Sequence, residues 1–181
     1  MEAFDILSAL FPNRRVVVGD QPPNWKDQGN EAMDLGVKAK KAWSMVGEVK
    51  YFRGVGDVAS GRENVLQDAA RLASADVSSG SPRILVVCQH SHGKDDLWKK
   101  GSGRTGKVQR AASALLPKTV NTPINTTVGV IGGIISSWQL RTPSSAQLAN
   151  ANAIRVTLLN KTPFRQKSQN GLIRIWNIER P

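Results

Sequence analysis

The residues best suited to chemistry cluster in three short stretches. The run "CQHSH" (88–92) contains the chain's one Cys and both of its His. On a strand, alternation puts Cys88, His90 and His92 on one face, where thiolate and imidazoles could hold zinc, with Asp95 or Asp96 completing the set. Polar side chains closing a strand are the simpler reading, and no metal is expected there. The run "GSGRTGKV" (101–108) approaches a phosphate-binding loop, but Val108 stands where a magnesium-binding hydroxyl is needed, and "DDLWKK" before it is not a strand. It reads instead as a basic loop able to touch phosphates. The run "GVGDVA" (54–59) has the form of a dinucleotide turn, yet the next strand ends in Cys88-Gln89, where an acid should hold the ribose. No cofactor is therefore expected.

A second kind of chemistry is carried by charge. The chain of 181 residues has 25 Lys and Arg against 14 Asp and Glu, a net charge of +11. Such an excess selects anionic partners, RNA or another polyanion first and an acidic membrane surface second. The residues expected to carry nucleic-acid binding are Lys38, Lys40, Lys41, Lys99, Lys100, Arg104, Lys107 and Arg110, with Trp98 available for stacking. A lone cysteine excludes an internal disulfide framework and suits a reducing compartment. The start "MEAFDILSALFP" lacks a basic leader, and no apolar run reaches the length of a membrane span. An intracellular location, cytoplasmic or nuclear, is expected.

These residues need elements to position them. "RRVVVG" (14–19), "EVKYF" (48–52), "RILVVC" (83–88), "TTVGVIGGII" (126–135) and "GLIRIWNIE" (171–179) read as strands, the fourth as a central one. Residues 27–47 show Ala32, Leu35, Ala39, Ala42, Trp43 and Val46 at helical spacing, although Gly36 weakens the pattern. Residues 62–75 form a stripe of Val65, Leu66, Ala69, Leu72 and Ala73, and 107–116 a short basic helix ended by Pro117. Residues 1–12 read as an amphipathic helix stopped by Pro12. Residues 144–161 fit either a helix or, from "IRVTLL", a strand. Alternating strands and helices over one domain, 1–181, predict a three-layer α/β/α fold with a mostly parallel, flavodoxin-like sheet of about five strands. In such sheets ligands bind past the carboxyl ends of the strands, here Gly19-Asp20-Gln21, Gly54 to Asp57, and Gln89 to Asp96. Glycines and aspartates at these ends serve equally well as tight turns and N-caps.

Taken together, the segments resemble the SGNH/GDSL hydrolases, including the esterase-like domains of some retroelement proteins. "VVVGD" is similar to the first block, with Gln21 where the family has its nucleophilic Ser. "KYFRGVGD" resembles the oxyanion-glycine block through Gly54, and "ILVVCQHSHGKDDL" the third block, with Asp95 replacing an Asn. The resemblance implies a site of Asp20, Gln21, Gly54 and Asp95, with His90 or His92 as substitute base, because the family's C-terminal Asp-x-x-His has no counterpart here. Without the hydroxyl, the base and the oxyanion donor, acyl transfer is not expected. The expectation is a non-catalytic, SGNH-like binding module with a basic surface. Two other readings stay open. One is a hydrolase with a non-standard arrangement, such as Asp20 or Asp57 with His90 or His92. The other is a viral or retroelement structural protein that assembles on nucleic acid or acidic membrane.

Overall fold

The computed structural model describes residues 15–20, 33–39, 42–52, 58–75, 77, 80–91, 97–98, 100–127, 129–130, 153–166 and 169–180. Its strands are β1 (Arg15–Asp20), β2 (Met33–Ala39), β3 (Ala42–Phe52), β4 (Arg83–Ser91), β5 (Ile124–Thr126), β6 (Ile154–Gln166) and β7 (Gln169–Glu179). Two helices, α1 (Val58–Ser74) and α2 (Gly103–Leu115), complete the described elements. One seven-stranded sheet runs in the order β1-β2-β3-β4-β7-β6-β5. Only β3 and β4 pair in parallel, with α1 as their crossover; every other neighbouring pair is antiparallel. The doubly wound, mostly parallel α/β/α fold expected from the alternating pattern is therefore not the fold of this chain.

The correction begins at residues 27–47. Leu35, Ala39, Ala42, Trp43 and Val46 repeat with a helical period, but 33–39 and 42–52 are the two strands of an antiparallel pair. Within β2, Leu35, Val37 and Ala39 also satisfy a period of two. Val37, Trp43 and Met45 are buried at 0%, 4% and 6% exposure, and Lys38 lies with its ammonium 4.3 Å from the centre of the Trp43 ring. Short apolar runs of this kind fit both periods, and pairing with β1 and β4 decides between them. Of the stretch 126–135, Thr126 ends β5 (Ile124–Thr126), which sits at the sheet edge and not its centre, and Gly129 and Val130 lie outside any strand; residue 128 and residues 131–135 are outside the described residues. From the ambiguous stretch 144–161, residues from Ile154 onward join β6. The expected N-terminal helix, 1–12, falls outside the described residues.

Both helices cover one face of the sheet. Alternation along β3, β4, β7 and β6 brings Val46, Leu85, Val87, Trp176, Ile178, Val156 and Leu158 to that face. Above them, α1 packs Val65, Leu66, Ala69, Leu72 and Ala73, all without solvent exposure, and α2 packs Val108, Ala111, Ala112 and Leu115. Each buried Val or Leu contributes about 1.5–3 kcal/mol, which far exceeds the propensity differences within a short helix and so pins the apolar stripe inward. Trp98 and Trp176 close the core between α2 and β7. Their rings meet at 6.2 Å, and their indole N–H groups donate to the carbonyls of Leu116 and Pro117. Among the described residues, no helix is long and apolar enough to cross a membrane.

Candidate active site

The antiparallel pairing of β2 with β3 has a chemical consequence. The register Leu35↔Gly47 sets Asp34 beside Glu48. Asp34 Oδ2 accepts the backbone N–H of Val49 at 2.8 Å, and its carboxyl shares a hydrogen bond with that of Glu48. Lys50, two residues beyond Glu48, shares its sheet face by alternation. The facing helix α1 adds Asp68 and Arg71, three residues apart and hence neighbours on one face. Arg71 donates to Glu48 Oε1 at 2.9 Å and to Asp68 Oδ1 at 3.4 Å, and Lys50 Nζ lies 2.9 Å from Asp68 Oδ2. Three carboxylates and two cations from β2, β3 and α1 thus form one linked network beneath the helix.

Burial governs its electrostatics. Glu48 is 3% exposed, and loss of hydration pushes its carboxyl from the usual 4.5 up to about 9. The Arg71 charge opposes that rise; the charges of Asp68 and Asp34 and the Asp34 hydrogen bond add to it. Asp68, also 3% exposed, is raised for the same reason, with Lys50 and Arg71 opposing. Acids displaced in this way occur both at functional sites and in structural ion-pair networks, and here Glu48 and Asp68 are each tied to Arg71. Among the described residues, no three His, Cys, Asp or Glu side chains are grouped to hold a metal. Asp34 and Glu48 are a pair of adjacent carboxyls, one Glu48 oxygen being held by the Arg71 guanidinium at 2.9 Å.

The residues proposed from the sequence fare differently. Gln21, Gly54, Asp95, Lys40, Lys41 and Lys99 lie outside the described residues, as do His92 and Asp57. Asp20 closes β1 and His90 lies in β4. Since β1 and β3 both run antiparallel to β2, and β4 runs with β3, the carboxyl ends of these three strands share one sheet edge. Gln89, from the same strand end, is buried and accepts a 2.6 Å hydrogen bond from Arg174. Trp98 requires a correction. At 6% exposure, with its indole N–H bonded to Leu116 and Arg174 stacked 4.8 Å from its ring centre, it is a core residue and not a platform for bases.

Lys100, Arg104, Lys107 and Arg110 are exposed, and the last three follow one another every three residues along α2. Arg104 bridges to α1 through Glu63, with Nε to Oε1 at 2.8 Å. If this stripe contacts phosphates, changing all four residues to Ala should flatten the slope of log affinity against log salt by about 3–4 units, at roughly 0.7–0.9 per phosphate. Filter binding to labelled DNA and RNA over a salt series checks this; an unchanged slope would place the contacts elsewhere.

Asp34, Glu48, Lys50, Asp68 and Arg71 are not legible as a group in the sequence. Two signals point to some of them. "GEVKYF" places Glu48 and Lys50 two residues apart, on one face of a strand with apolar neighbours, and Asp68 falls on the buried stripe of α1 between Val65 and Leu72. No family model, curated protein or solved structure matches this chain.

Proposed function

We propose that the protein is a divalent-cation-dependent phosphodiester hydrolase acting on nucleic acid. The observation that carries this reading is the pair of adjacent carboxylates, Asp34 and Glu48, with Lys50 on the same strand face two residues away. Asp34 and Glu48 would hold the cation, which supplies Lewis-acid polarisation of the phosphoryl oxygen and an acidified water. Water adds to phosphorus, and the bond from phosphorus to one sugar oxygen breaks, leaving a phosphate monoester and a hydroxyl. The Lys50 ammonium supplies fixed positive charge where negative charge grows on the phosphate. The +11 surplus and the exposed basic stripe of α2 favour a polyanionic substrate.

Acyl-ester chemistry is not carried forward. The parallel architecture that the SGNH resemblance implies is replaced by a mixed sheet, and Gln21, Gly54 and Asp95 lie outside the described residues. Incubation with single- and double-stranded DNA and RNA in Mg²⁺ or Mn²⁺ should give cleavage that EDTA stops and that Asp34→Asn loses. Salt-sensitive binding without cleavage of any substrate in that panel would reject the catalytic reading. The non-catalytic polyanion-binding module would then be the better account.

A further inference from the structure

We propose that the sheet face turned away from the helices is a self-association surface, on which two copies of this chain pack face to face. The strand register lays out the middle of that face as a grid. Gly47, Ile84, Asn177 and Thr157 form one row across β3, β4, β7 and β6. Val49, Val86, Ile175 and Asn160 form the next, and Tyr51, Cys88, Ile173 and Thr162 the third. Alternation turns these positions away from Val46, Leu85 and Trp176, which face the helices. No position of the grid is charged, although charged residues make up 22% of the chain. Charge enters at the adjoining row, where Arg155 stands opposite Glu179 in the register. Val49 and Tyr51 are 37% and 49% exposed, and Ile84, Val86, Ile173 and Ile175 are half-buried.

The lack of charge selects the occupant. In a chain of net charge +11, an acidic protein or a nucleic acid is drawn to lysines and arginines, and the grid holds neither. A second copy needs a surface complementary to itself, because a two-fold interface uses the same patch on both subunits. A flat grid of Val, Ile and Tyr meets that condition, since no like charges are brought together across the axis. Tyr51 adds a large apolar ring with a polar tip, a residue type enriched at such interfaces. Two twisted sheets stack about 10 Å apart with their inner side chains interdigitated. Four strands at about 4.8 Å and three rows at about 6.7 Å give a flat area of roughly 400 Å² per copy. A standard interface buries about 800 Å² per partner, so this dimer is a weak one, half formed at roughly 10–100 µM. The carboxylate network under α1 lies on the other face of the sheet, so the inference is independent of the hydrolase reading.

Sedimentation equilibrium of the full chain over about 5–500 µM, at about 0.05 and 0.5 M salt, tests the proposal. Wild type should dimerise, with affinity rising at least about threefold at the higher salt, because salt screens the repulsion between two positive copies. Binding of nucleic acid responds to salt in the opposite sense, which keeps the two surfaces distinguishable. Val49→Glu and Tyr51→Glu should each weaken the dimer at least about tenfold, since each buries an unpaired charge on association. Both lower the net charge of the chain, so the loss cannot come from added repulsion. Both positions are exposed in the single copy, so folding is retained; should either variant fail to fold, Thr162→Glu at the exposed edge of the grid takes its place. Cys88, the chain's one cysteine, lies in the third row, so its alkylation should slow several-fold as the dimer forms. Wild type that stays monomeric at both salts, or variants within about twofold of wild-type affinity, overturns the proposal. Association that weakens with salt also overturns it and places the contact among charged residues. A monomer that binds neutral phosphatidylcholine vesicles, with binding lost in Val49→Glu, overturns it in favour of a membrane.

Discussion

Replacing Glu48 with Gln should stabilise the cation-free protein by about 3 kcal/mol at pH 7 while abolishing cation-dependent cleavage. The folded state raises the Glu48 carboxyl to about 9, against 4.5 for an unburied glutamate. Between those values the folded protein holds a proton that the unfolded chain has released. The contribution of Glu48 to stability is therefore complete below about pH 4.5 and is lost as pH rises toward 9, at about 1.4 kcal/mol per unit. Gln reproduces the protonated acid: its oxygen can accept from Arg71 and its amide can donate to Asp34, with no proton to take up on folding. Urea titrations of both proteins at pH 5 and pH 7 check this. The advantage of the variant should be under about 1 kcal/mol at pH 5 and about 3 at pH 7. A variant less stable than wild type at pH 7 would show that Glu48 is ionised and well paired in the folded protein. A neutral amide is also a poor ligand for a hard cation, so the stabilised variant should lose cation binding. Gain of stability with loss of activity is the pattern expected where a site is kept at a cost to folding.

Lys50→Met should lower cleavage by about a hundred- to a thousandfold at saturating cation, the range seen when one preorganised donor to a growing negative charge is removed. Met preserves much of the apolar stem, so packing against β4 changes little. Asp68 keeps Arg71 as a partner at 3.4 Å, which limits the folding penalty. Cation affinity should not fall, since Lys50 is not a ligand and its charge opposes the cation. Single-turnover cleavage and calorimetry on the same preparation separate the two effects. A variant that cleaves at the wild-type rate would remove Lys50 from the mechanism and leave the carboxylate pair as the whole of the protein's contribution.

Local sequence determined several elements of this protein without help from the fold. The stripe Val65, Leu66, Ala69, Leu72, Ala73 specifies α1, whose range extends a few residues earlier than the pattern suggested. The run "RILVVC" specifies β4, and "GLIRIWNIE" specifies β7. Periodicity is a property of neighbours in the chain, so it survives in any environment that buries one face. The excess of Lys and Arg is likewise a matter of composition, and the exposure of Lys100, Arg104, Lys107 and Arg110 follows from the cost of burying charge.

That 33–39 and 42–52 are strands at all was decided only by the tertiary structure, because their apolar residues also fit a helical period. Once they are strands, the two-residue links 40–41 and 167–168 admit only antiparallel hairpins, since a parallel pair needs a crossover of about a dozen residues or more. The candidate site depends on that choice. Asp34 meets Glu48 because β2 and β3 pair antiparallel at one register; a shift of one residue would send the two carboxylates to opposite faces. Asp68 meets Lys50, and Arg71 meets Glu48, because the parallel crossover lays α1 over β3. In the unfolded chain each of these groups is solvated and ordinary. The shared burial under α1 raises Glu48 and Asp68 and draws Arg71 and Lys50 to them, and that burial belongs to the packed sheet and helix, not to any segment of the sequence.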